Sequence, residues 1–426
     1  MSVSFAAMHK GLVISTCASI LISIINMNNS ADPLYLSAAQ AAAELAISPA
    51  TLYAYVSRGL IRSEPEPDTR AKRYRADDVR ALKNRRAPPP EQRGTRLENE
   101  LPILESAIST LTEEGPIYRG VNAVALSQTA TLEQTATLLW DVSGEDPFAP
   151  DNLPVISPAM HAVLVATANE APLARAASVL ALASDADPRA YNRSPEGRVQ
   201  LGARIMRLTA SAILGTEPSS APLHKQVARA WAPKPREAED FIRRALVLLA
   251  EHELNASTFA LRVAASTGIS LYDAVVAGLA ALKGPRHGGA GPLAARFVAA
   301  CAEGDPAILI RERLANGEYI PGFGHSVYRN GDPRAEDLLN SMRSAGADER
   351  LATEIPALVL EATGERPNID YAIAVHARTH SLPAGSEIAL FAIARTAGWV
   401  AHGIEQLKSR ALIRPRARYV GPAPKK

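Results

Sequence analysis

The chain has 426 residues, of which 47% are hydrophobic but only 5% are aromatic, and its formal net charge is +2. Its two cysteines, Cys17 and Cys301, exclude a disulfide framework or a cysteine-based metal site and are typical of a reducing compartment. The near-neutral charge gives no sign of a polyanionic partner for the whole chain. Abundant alanine and leucine favour helices, so we expect a mainly α protein with two or three domains.

Residues 1–33 are expected to form a poorly structured N-terminal extension. Within them, His9 and Lys10 precede a short apolar run that resembles a signal peptide but is too short and serine-rich for a membrane span. The favoured interpretation is an over-extended start with Met27 as the initiator, because the segments that follow are of cytoplasmic types. We therefore expect a cytoplasmic protein without a membrane segment.

Residues 34–86 predict a small helical unit with helix-turn-helix spacing. Ser37 and Ser48 are expected to be the N-caps of two successive helices. Pro49 then occupies the first position of the second helix, and Gly59 ends that helix. A wing-like basic segment follows. The unit resembles the DNA-binding module of mercury-resistance-type regulators, a small winged helix-turn-helix fold.

The charge of this region is consistent with DNA contact. Between residues 34 and 96 there are 12 Lys/Arg against 7 Asp/Glu, and all of the positive charge lies at or after Arg58. Clustered basic side chains after a candidate recognition helix can contact phosphates. However, the second helix offers few base-reading side chains beyond Ser48, Thr51 and Tyr53. A protein-docking module without DNA contacts is therefore the alternative.

Residues 87–96 contain three successive prolines and predict an extended linker. Beyond it, residues 97–426 are predicted to be mostly helical, because apolar residues recur with the helix period while strand-like alternation is almost absent. The predicted helical runs are Leu132–Leu139, Met160–Thr167, Leu173–Leu182, Ile205–Leu214, Phe241–Ala250, Leu271–Leu282 and Ile388–Trp399.

Two glycine-rich loops each place a histidine beside residues that lack a Cβ, so that backbone can approach a ligand closely. The first loop is His287-Gly288-Gly289-Ala290. The second is Gly322-Phe323-Gly324-His325, and Asp332-Pro333-Arg334 follows it shortly afterwards. A single Gly-His pair is a weak signal, but two such loops in one chain favour a ligand site.

These loops resemble the active-site signatures of the citrate synthase family. The similarity spans about residues 97–422 and implies a large and a small helical domain, the small one near residues 266–370. It also implies oxaloacetate and an acyl-CoA as substrates, and a homodimer. Further agreeing segments are Ile117–Gly120, Thr131–Glu133, Leu138–Trp140, Glu251–Thr258, Pro367–Asp370, Ala394–Trp399 and Arg414–Arg416.

The resemblance assigns three catalytic roles. Asp370 is the base that removes a proton from the thioester methyl group, and His287 is the donor facing the enolate oxygen. His325 is the acid that polarises the ketone. These residue types suit the chemistry, because a positioned acid or base contributes about 10²–10⁴ in rate.

The remaining expected residues bind the substrates. Arginines are suited to the dicarboxylate, because a planar guanidinium can hold a carboxylate through two parallel hydrogen bonds. No metal and no permanently bound cofactor are expected, and acetyl-CoA is a cosubstrate. The resemblance implies oxaloacetate contacts from His252, Arg334, Arg395 and Arg414, with Arg414 reaching the neighbouring subunit, and CoA contacts from Arg329, Gly288, Gly289 and Ala290.

The chain departs from the family pattern in places. Gly291 and Pro292 stand where the family often has asparagine, and Ser326 stands where a basic residue is common. His376 and His380, four residues apart on a predicted helix, could pair on a metal. Since no third ligand is evident, local variation of the pocket or of an interface is the favoured interpretation.

Three functions stay open at this point. The first is citrate synthase, which forms citrate and CoA from acetyl-CoA, oxaloacetate and water. The second is 2-methylcitrate synthase, which uses propionyl-CoA. The third is a DNA-binding regulator whose synthase-like domain senses a metabolite. Asp370 argues against the third, because a sensor would not need the base.

Overall fold

A computed structural model of the chain describes residues 35–45, 47–57, 59–66, 71–79, 82, 104–344, 348–417 and 419–422. The chain divides into two compact units, Met1–Leu101 and Pro102–Lys426. The expected extension of residues 1–33 and the expected linker of residues 87–96 lie outside the described residues.

The described part of the first unit contains two helices and a small sheet. The helices are α1 (Ala38–Glu44) and α2 (Pro49–Ser57), and the strands are β1 (Tyr35–Ser37), β2 (Ser63–Pro65) and β3 (Lys72–Arg75). The antiparallel strands have the order β1-β3-β2. The predicted basic segment thus supplies the central strand, in which Tyr74 is buried in the core with Leu36 and Leu52.

The ends of these two helices are as predicted. The Ser37 side chain accepts from the backbone N–H of Gln40 at 3.3 Å and completes a capping box. Ser48 accepts from the N–H of Thr51, also at 3.3 Å. Gly59 has a φ of +69°, which an L-residue rarely adopts, and follows the end of α2. The predicted caps are therefore confirmed.

The described part of the second unit is mainly α-helical, as expected. Every predicted helical run overlaps a helix, but the helix that contains Ile205 already begins at Pro195, and the one that contains Trp399 continues to Ser409. The helices are α3 (Ala123–Ser127), α4 (Leu132–Trp140), α5 (Pro158–Ala166), α6 (Pro172–Ala186), α7 (Pro195–Leu214), α8 (Leu223–Trp231), α9 (Pro235–Leu249), α10 (Ala256–Ser266), α11 (Leu271–Leu282), α12 (Ala290–Glu303), α13 (Pro306–Ala315), α14 (Pro333–Ser344), α15 (Ile355–Thr363), α16 (Ile369–Thr379) and α17 (Ser386–Ser409), with a π-helical turn at Arg350–Glu354.

A small sheet was not anticipated in this unit. Its strands, β4 (Ser109–Thr112), β5 (Gly115–Tyr118) and β6 (Val121–Asn122), pair antiparallel in chain order. They are too short to show an alternation of apolar and polar residues. The sheet supports the interior, because the Tyr118 hydroxyl donates to the backbone oxygen of Glu251 at 3.0 Å.

Helix α17 runs through the core of the second unit. It packs against α4, α7, α9, α10 and α11, and Trp399 on it is fully buried. Gly278 on α11 makes this packing close, since a Cβ there would lie 3.0 Å from the Trp399 ring. Central packing fixes where Arg395 points. No described helix combines the length and apolar character that crossing a membrane would require.

Candidate active site

The loop between α11 and α12 presents His287. Two backbone hydrogen bonds of 3.0 Å hold this loop compact. The His287 N–H donates to the Gly284 oxygen, and the Gly288 N–H donates to the Leu282 oxygen. His287 Nε2 lies 2.8 Å from the Ser257 hydroxyl, near the start of α10. Its ring also packs edge-on against Phe391 of α17.

The Ser257 hydroxyl determines which His287 nitrogen carries the proton. This hydroxyl has one hydrogen and two acceptors within reach, His287 Nε2 at 2.8 Å and Asn255 Oδ1 at 2.9 Å. The Trp399 indole donates to the same oxygen at 3.3 Å. If the hydrogen goes to Nε2, His287 carries its own proton on Nδ1. Nδ1 has no hydrogen bond to any described residue.

The loop before α14 fixes His325 in one tautomer. His325 Nδ1 accepts from the backbone N–H groups of Val327, at 3.1 Å, and Tyr328, at 3.3 Å. Because two backbone donors face Nδ1, the proton of the neutral ring must lie on Nε2. His325 is therefore prepared to donate from Nε2.

Asn368 ties the His325 loop to the start of α16. Its side-chain oxygen accepts from the Asp370 N–H at 3.0 Å and caps the helix. Its side-chain nitrogen donates to the Gly324 oxygen at 2.9 Å, and its backbone N–H donates to the Gly322 oxygen at 2.9 Å. One residue thus sets the position of Asp370 relative to the loop that carries His325.

The ionisable groups have pKa values suited to acid–base chemistry near neutral pH. Burial raises the pKa of the Asp370 carboxyl to about 6, against the opposing charge of Arg334. Burial and the nearby Arg395 lower the pKa of His287 to about 4, and burial and Arg334 do the same for His325. At neutral pH the carboxyl is therefore ionised while both imidazoles are neutral.

Arg334 is held by a buried carboxylate. Its Nε and Nη2 donate to the two oxygens of Asp332 at 2.9 and 2.8 Å, and the Ile369 N–H donates to the same carboxylate at 3.0 Å. Burial disfavours the charged guanidinium, but the adjacent Asp332 outweighs it and raises the pKa of Arg334. The pair also connects the start of α14 to the start of α16.

Arg395 supplies a buried cation with unused hydrogen-bonding capacity. Its Nε donates to the Leu249 oxygen at 2.9 Å, whereas its Nη1 is buried and has no hydrogen-bond partner. An orphaned guanidinium nitrogen in the interior is costly unless a ligand completes it. Arg395 and Arg334 both affect the pKa of His252 through their charge, so all three lie close together.

His252 follows a buried polar network. Glu251 Oε1 lies 3.1 Å from His402 Nε2 and accepts from the Ser109 hydroxyl at 3.2 Å. His252 Nε2 lies 3.0 Å from the Tyr328 hydroxyl, and its ring is 5.5 Å from that of His325. Burial and nearby arginines lower the pKa of His252 well below its ordinary value, so it is neutral.

The departure at Gly291 has a structural reason. Gly291 is buried in the first turn of α12. A Cβ there would lie 3.1 Å from Glu387 Cβ and 3.6 Å from Asp370 Oδ1. A larger side chain would displace one of these carboxyl-bearing residues, so the glycine belongs with this arrangement around Asp370.

Two expected contacts lie at the surface. Arg329 is exposed on the His325 loop, and Gly288, Gly289 and Ala290 lie at the start of α12. Arg414 is exposed in the segment after α17 and makes no contact with the other site residues within its own chain. Over the described residues, no hydrogen bond or ion pair joins Arg329 or Arg414 to the site histidines, to Asp370 or to the two buried arginines.

The pair His376 and His380 does not form a metal centre here. Their rings stack on Phe241, with centroid distances of 4.0 and 5.6 Å, and His376 Nε2 bonds the Leu338 oxygen at 2.9 Å. Over the part of the chain that the structure describes, no group of three or more His, Cys, Asp or Glu side chains could hold a metal ion.

The sequence did not assign roles to several residues that shape the site. Four of them lie within the motifs quoted above, namely Ser257, Asn368, Asp332 and Glu251. Each of these residues holds another site residue in place and does not itself face a ligand. Tyr328, next to Arg329, is buried and bonds His252. The only sequence signal for them was their closeness to the histidines, Asp370 and Arg395.

The arrangement combines an ionised carboxyl, neutral imidazole donors and buried arginines. Such a set can remove a proton from carbon, stabilise the oxygen that becomes negative and hold an anionic substrate. The site is that of an acid–base enzyme for an anionic substrate on a helical fold.

Comparison with known proteins identifies the family. Residues 97–416 match the model of the citrate synthase C-terminal domain. The chain is 30% identical to citrate synthase 2 of Bacillus subtilis over 355 residues, which is 74% of this chain and 93% of the relative. The chain belongs to the citrate synthase family.

Two further proteins are similar to this chain. The chain is 39% identical to 2-methylcitrate synthase 1 of Corynebacterium glutamicum over 192 residues, 43% of this chain and 50% of the relative. The chain is also similar to a solved ternary complex of the Thermoplasma acidophilum citrate synthase with carboxymethyl coenzyme A and oxaloacetate. The match covers 77% of this chain and 96% of the solved chain, with a TM-score of 0.63 and 26% identity.

Proposed function

We propose that the protein is a citrate synthase, which condenses acetyl-CoA with oxaloacetate and water to give citrate and CoA. The observation that carries this proposal is the pKa pattern around Asp370, an ionised carboxyl at neutral pH beside neutral His287 and His325. The complex of the Thermoplasma acidophilum relative with carboxymethyl coenzyme A and oxaloacetate supports the two substrates.

The first step makes a carbon nucleophile. Asp370 removes a proton from the thioester methyl group, and its raised pKa makes it a stronger base than an exposed aspartate. His287 donates from Nδ1 to the oxygen on which charge develops. Ser257 supports this tautomer when it donates to Nε2. Neutral donors at that oxygen contribute about 3–4 kcal/mol in comparable sites.

The second step joins the nucleophile to the ketone carbon of oxaloacetate. His325 donates from Nε2 to the ketone oxygen, which becomes the hydroxyl of the product. Arg334 and Arg395 bind the carboxylates, and the unpartnered Nη1 of Arg395 supplies a ready donor. His252 is a further oxaloacetate contact. Water then hydrolyses the thioester, which releases citrate and CoA.

CoA binding involves the surface of the same site. The backbone of Gly288, Gly289 and Ala290 lies beside His287. The loop leaves no room for a side chain at Gly289, because a Cβ on that residue would lie 2.7 Å from Pro285 Cα. Exposed Arg329 is available for a phosphate group of CoA. Acetyl-CoA is a cosubstrate and leaves as free CoA in each turnover.

The function is tested by a steady-state assay with oxaloacetate and either acetyl-CoA or propionyl-CoA, in which release of the free thiol is followed. A higher kcat/KM with acetyl-CoA supports citrate synthase. A preference for propionyl-CoA supports the second candidate, 2-methylcitrate synthase, which the Corynebacterium glutamicum relative favours. No thiol release with either thioester would overturn both.

We further propose a homodimer in which Arg414 completes the site of the neighbouring subunit. Helix α11 packs on both α6 and α10, and these helices present small apolar side chains that are exposed or half-buried. Such a face suits close helix packing between subunits. The residues are Ala177 and Ala181 on α6, Ala260 and Ala264 on α10, and Ala277 and Ala280 on α11.

DNA contact by residues 34–86 is a proposal from the sequence, with protein docking as its alternative. Three described arginines of this unit already pair with carboxylates. The pairs are Arg62 with Asp78 at 2.8 Å, Arg73 with Glu64 at 3.2 Å and Arg75 with Asp77 at 3.3 Å. Phosphate contacts would then depend on other basic side chains. Binding of duplex DNA that weakens steeply with salt would support the proposal, and no binding at low salt would contradict it.

A further inference from the structure

A buried carboxyl at the start of α17 lies outside the set of residues assigned to the reaction. Glu387 is in the first turn of this helix and is only 7% exposed. Its Oε2 is buried and has no hydrogen-bond partner among the described residues. Burial raises the pKa of this carboxyl, and the backbone N–H groups of Glu387 and Gly385 partly offset that effect. An acceptor left unpaired in the interior is costly, so the missing partner is a sign of a ligand.

The Glu387 side chain begins beside the residue assigned as the base. A Cβ placed on Gly291 would lie 3.1 Å from Glu387 Cβ and 3.6 Å from Asp370 Oδ1. Both side chains therefore reach the same point at the start of α12. From there the Glu387 carboxyl extends toward the N-terminal end of α17, where the N–H groups that affect its pKa lie.

The same face of α17 carries two residues of the active site. Glu387, Phe391 and Arg395 are spaced four residues apart, so their side chains lie one above the other along the helix. The Arg395 guanidinium lies 4.5 Å from the centre of the Phe391 ring, and that ring packs edge-on against His287 at 5.7 Å. Along this face, an oxaloacetate contact is followed by a contact to the enolate donor and then by the unpaired carboxyl. Each step is about 6 Å.

The chemistry of the substrates limits which group can be the missing donor. Oxaloacetate as a dianion and the acetyl thioester carry oxygen acceptors but no N–H or O–H group. The pantetheine arm of CoA carries amide N–H groups, and a short ethylene link joins the first of them to the thioester sulfur. This amide therefore lies about one helical turn beyond the thioester oxygen that His287 contacts, the same step that separates Phe391 from Glu387.

We propose that Glu387 Oε2 accepts a hydrogen bond from the first amide N–H of the pantetheine arm, which makes Glu387 a binding residue for the acyl-CoA. This inference rests on the proposed condensation of an acyl-CoA with oxaloacetate. A hydrogen bond from an amide to a carboxylate is charge-assisted and stronger than one between neutral groups. The contact fixes the arm next to Asp370 and so helps to hold the thioester methyl group near the base.

The test is calorimetry with CoA on the full-length protein saturated with oxaloacetate. Glu387→Leu removes the acceptor and should weaken CoA binding by roughly tenfold or more, because a hydrogen bond to a charged group is lost. Glu387→Gln keeps the shape of the side chain and one oxygen but removes the charge, so it should weaken binding by a smaller factor. Adenosine 3′-phosphate 5′-diphosphate, which lacks the pantetheine arm, should have the same affinity for wild type and both variants.

A matched control separates this contact from an effect on the helix itself. Glu237 is exposed in the first turn of α9 and pairs with Lys234 at 3.1 Å. Glu237→Leu removes a similar interaction with a helix dipole and should leave CoA affinity unchanged.

The inference is overturned if either folded Glu387 variant binds CoA as tightly as wild type, the result expected if a water molecule supplies the donor. It is also overturned if the nucleotide without the arm loses affinity by the same factor as CoA. Failure of the proposed function is a different result, since wild type would then release no thiol from either acyl-CoA with oxaloacetate.

Discussion

The Ser257 hydroxyl lies 2.8 Å from His287 Nε2, so a serine on α10 controls the proton position of a histidine on the loop before α12. Its hydrogen has an alternative acceptor in Asn255, at 2.9 Å. The orientation of one hydroxyl therefore decides whether His287 offers a proton or a lone pair from Nδ1. Ser257 is a positioning residue, since it acts through His287.

Ser257→Ala should lower kcat while the KM for oxaloacetate stays nearly unchanged. The loss of a buried hydrogen bond of about 1–3 kcal/mol predicts a fall of roughly 5- to 150-fold. Steady-state kinetics with each substrate varied in turn would measure it. Ser341→Ala is the matched control, because Ser341 donates only to the backbone oxygen of Leu338 in its own helix. Equal effects of both variants would contradict the role of Ser257.

The pH dependence of turnover should follow Asp370. Its carboxyl must be ionised to act as a base, and its raised pKa of about 6 means that kcat falls as pH decreases through 6. Initial rates at saturating substrate between pH 5 and 8.5 would measure this. A constant rate from pH 8 to pH 5 would show that Asp370 is not the base.

Asp332→Asn should raise the KM for oxaloacetate and lower the melting temperature. The Asp332 and Arg334 side chains are 0% and 3% exposed, and breaking such a buried pair costs about 3–5 kcal/mol. Arg334 would then lose the partner that orients it. The measurements are substrate kinetics and thermal unfolding.

The control for that variant is Asp337→Asn on α14, the helix that begins directly after Asp332. Asp337 pairs with Arg244 at 2.7 Å, outside the site. The variant Asp337→Asn should lower the melting temperature without changing the KM for oxaloacetate. If Asp332→Asn also leaves that KM unchanged, Arg334 does not hold the substrate.

The sequence predicted the helices well, for a physical reason. Helix periodicity and caps such as Ser37 are local, so the chain itself reveals them. Loops with His287 and His325 stand out because glycine is needed for close backbone approach. The pairing of Ser257 with His287 and of Asp332 with Arg334 and Ile369 depends on tertiary packing. The short strand that carries Tyr118 was missed because four residues show no period.

Arg414 is predicted to act across the subunit interface. A truncation before Ile413 should abolish turnover and leave the protein largely helical by circular dichroism. In mixed dimers, a chain with Arg414→Ala and a chain with Asp370→Ala should together restore one working site. A clamp within a single chain could not give that recovery. Full activity of the truncated protein would contradict the assignment of Arg414.

Asp370→Asn is the most direct test of the mechanism. The amide keeps the shape and polarity of the side chain but cannot accept the methyl proton, so kcat should fall by about 10²–10⁴. His287→Ala should also lower kcat strongly, because it removes the donor at the enolate oxygen. Oxaloacetate binding, measured by calorimetry, should survive in both variants, since Arg334, Arg395 and His325 remain. Wild type should exchange solvent deuterium into the acetyl-CoA methyl group, and Asp370→Asn should not. Turnover of Asp370→Asn at the wild-type rate would show that another group removes the proton.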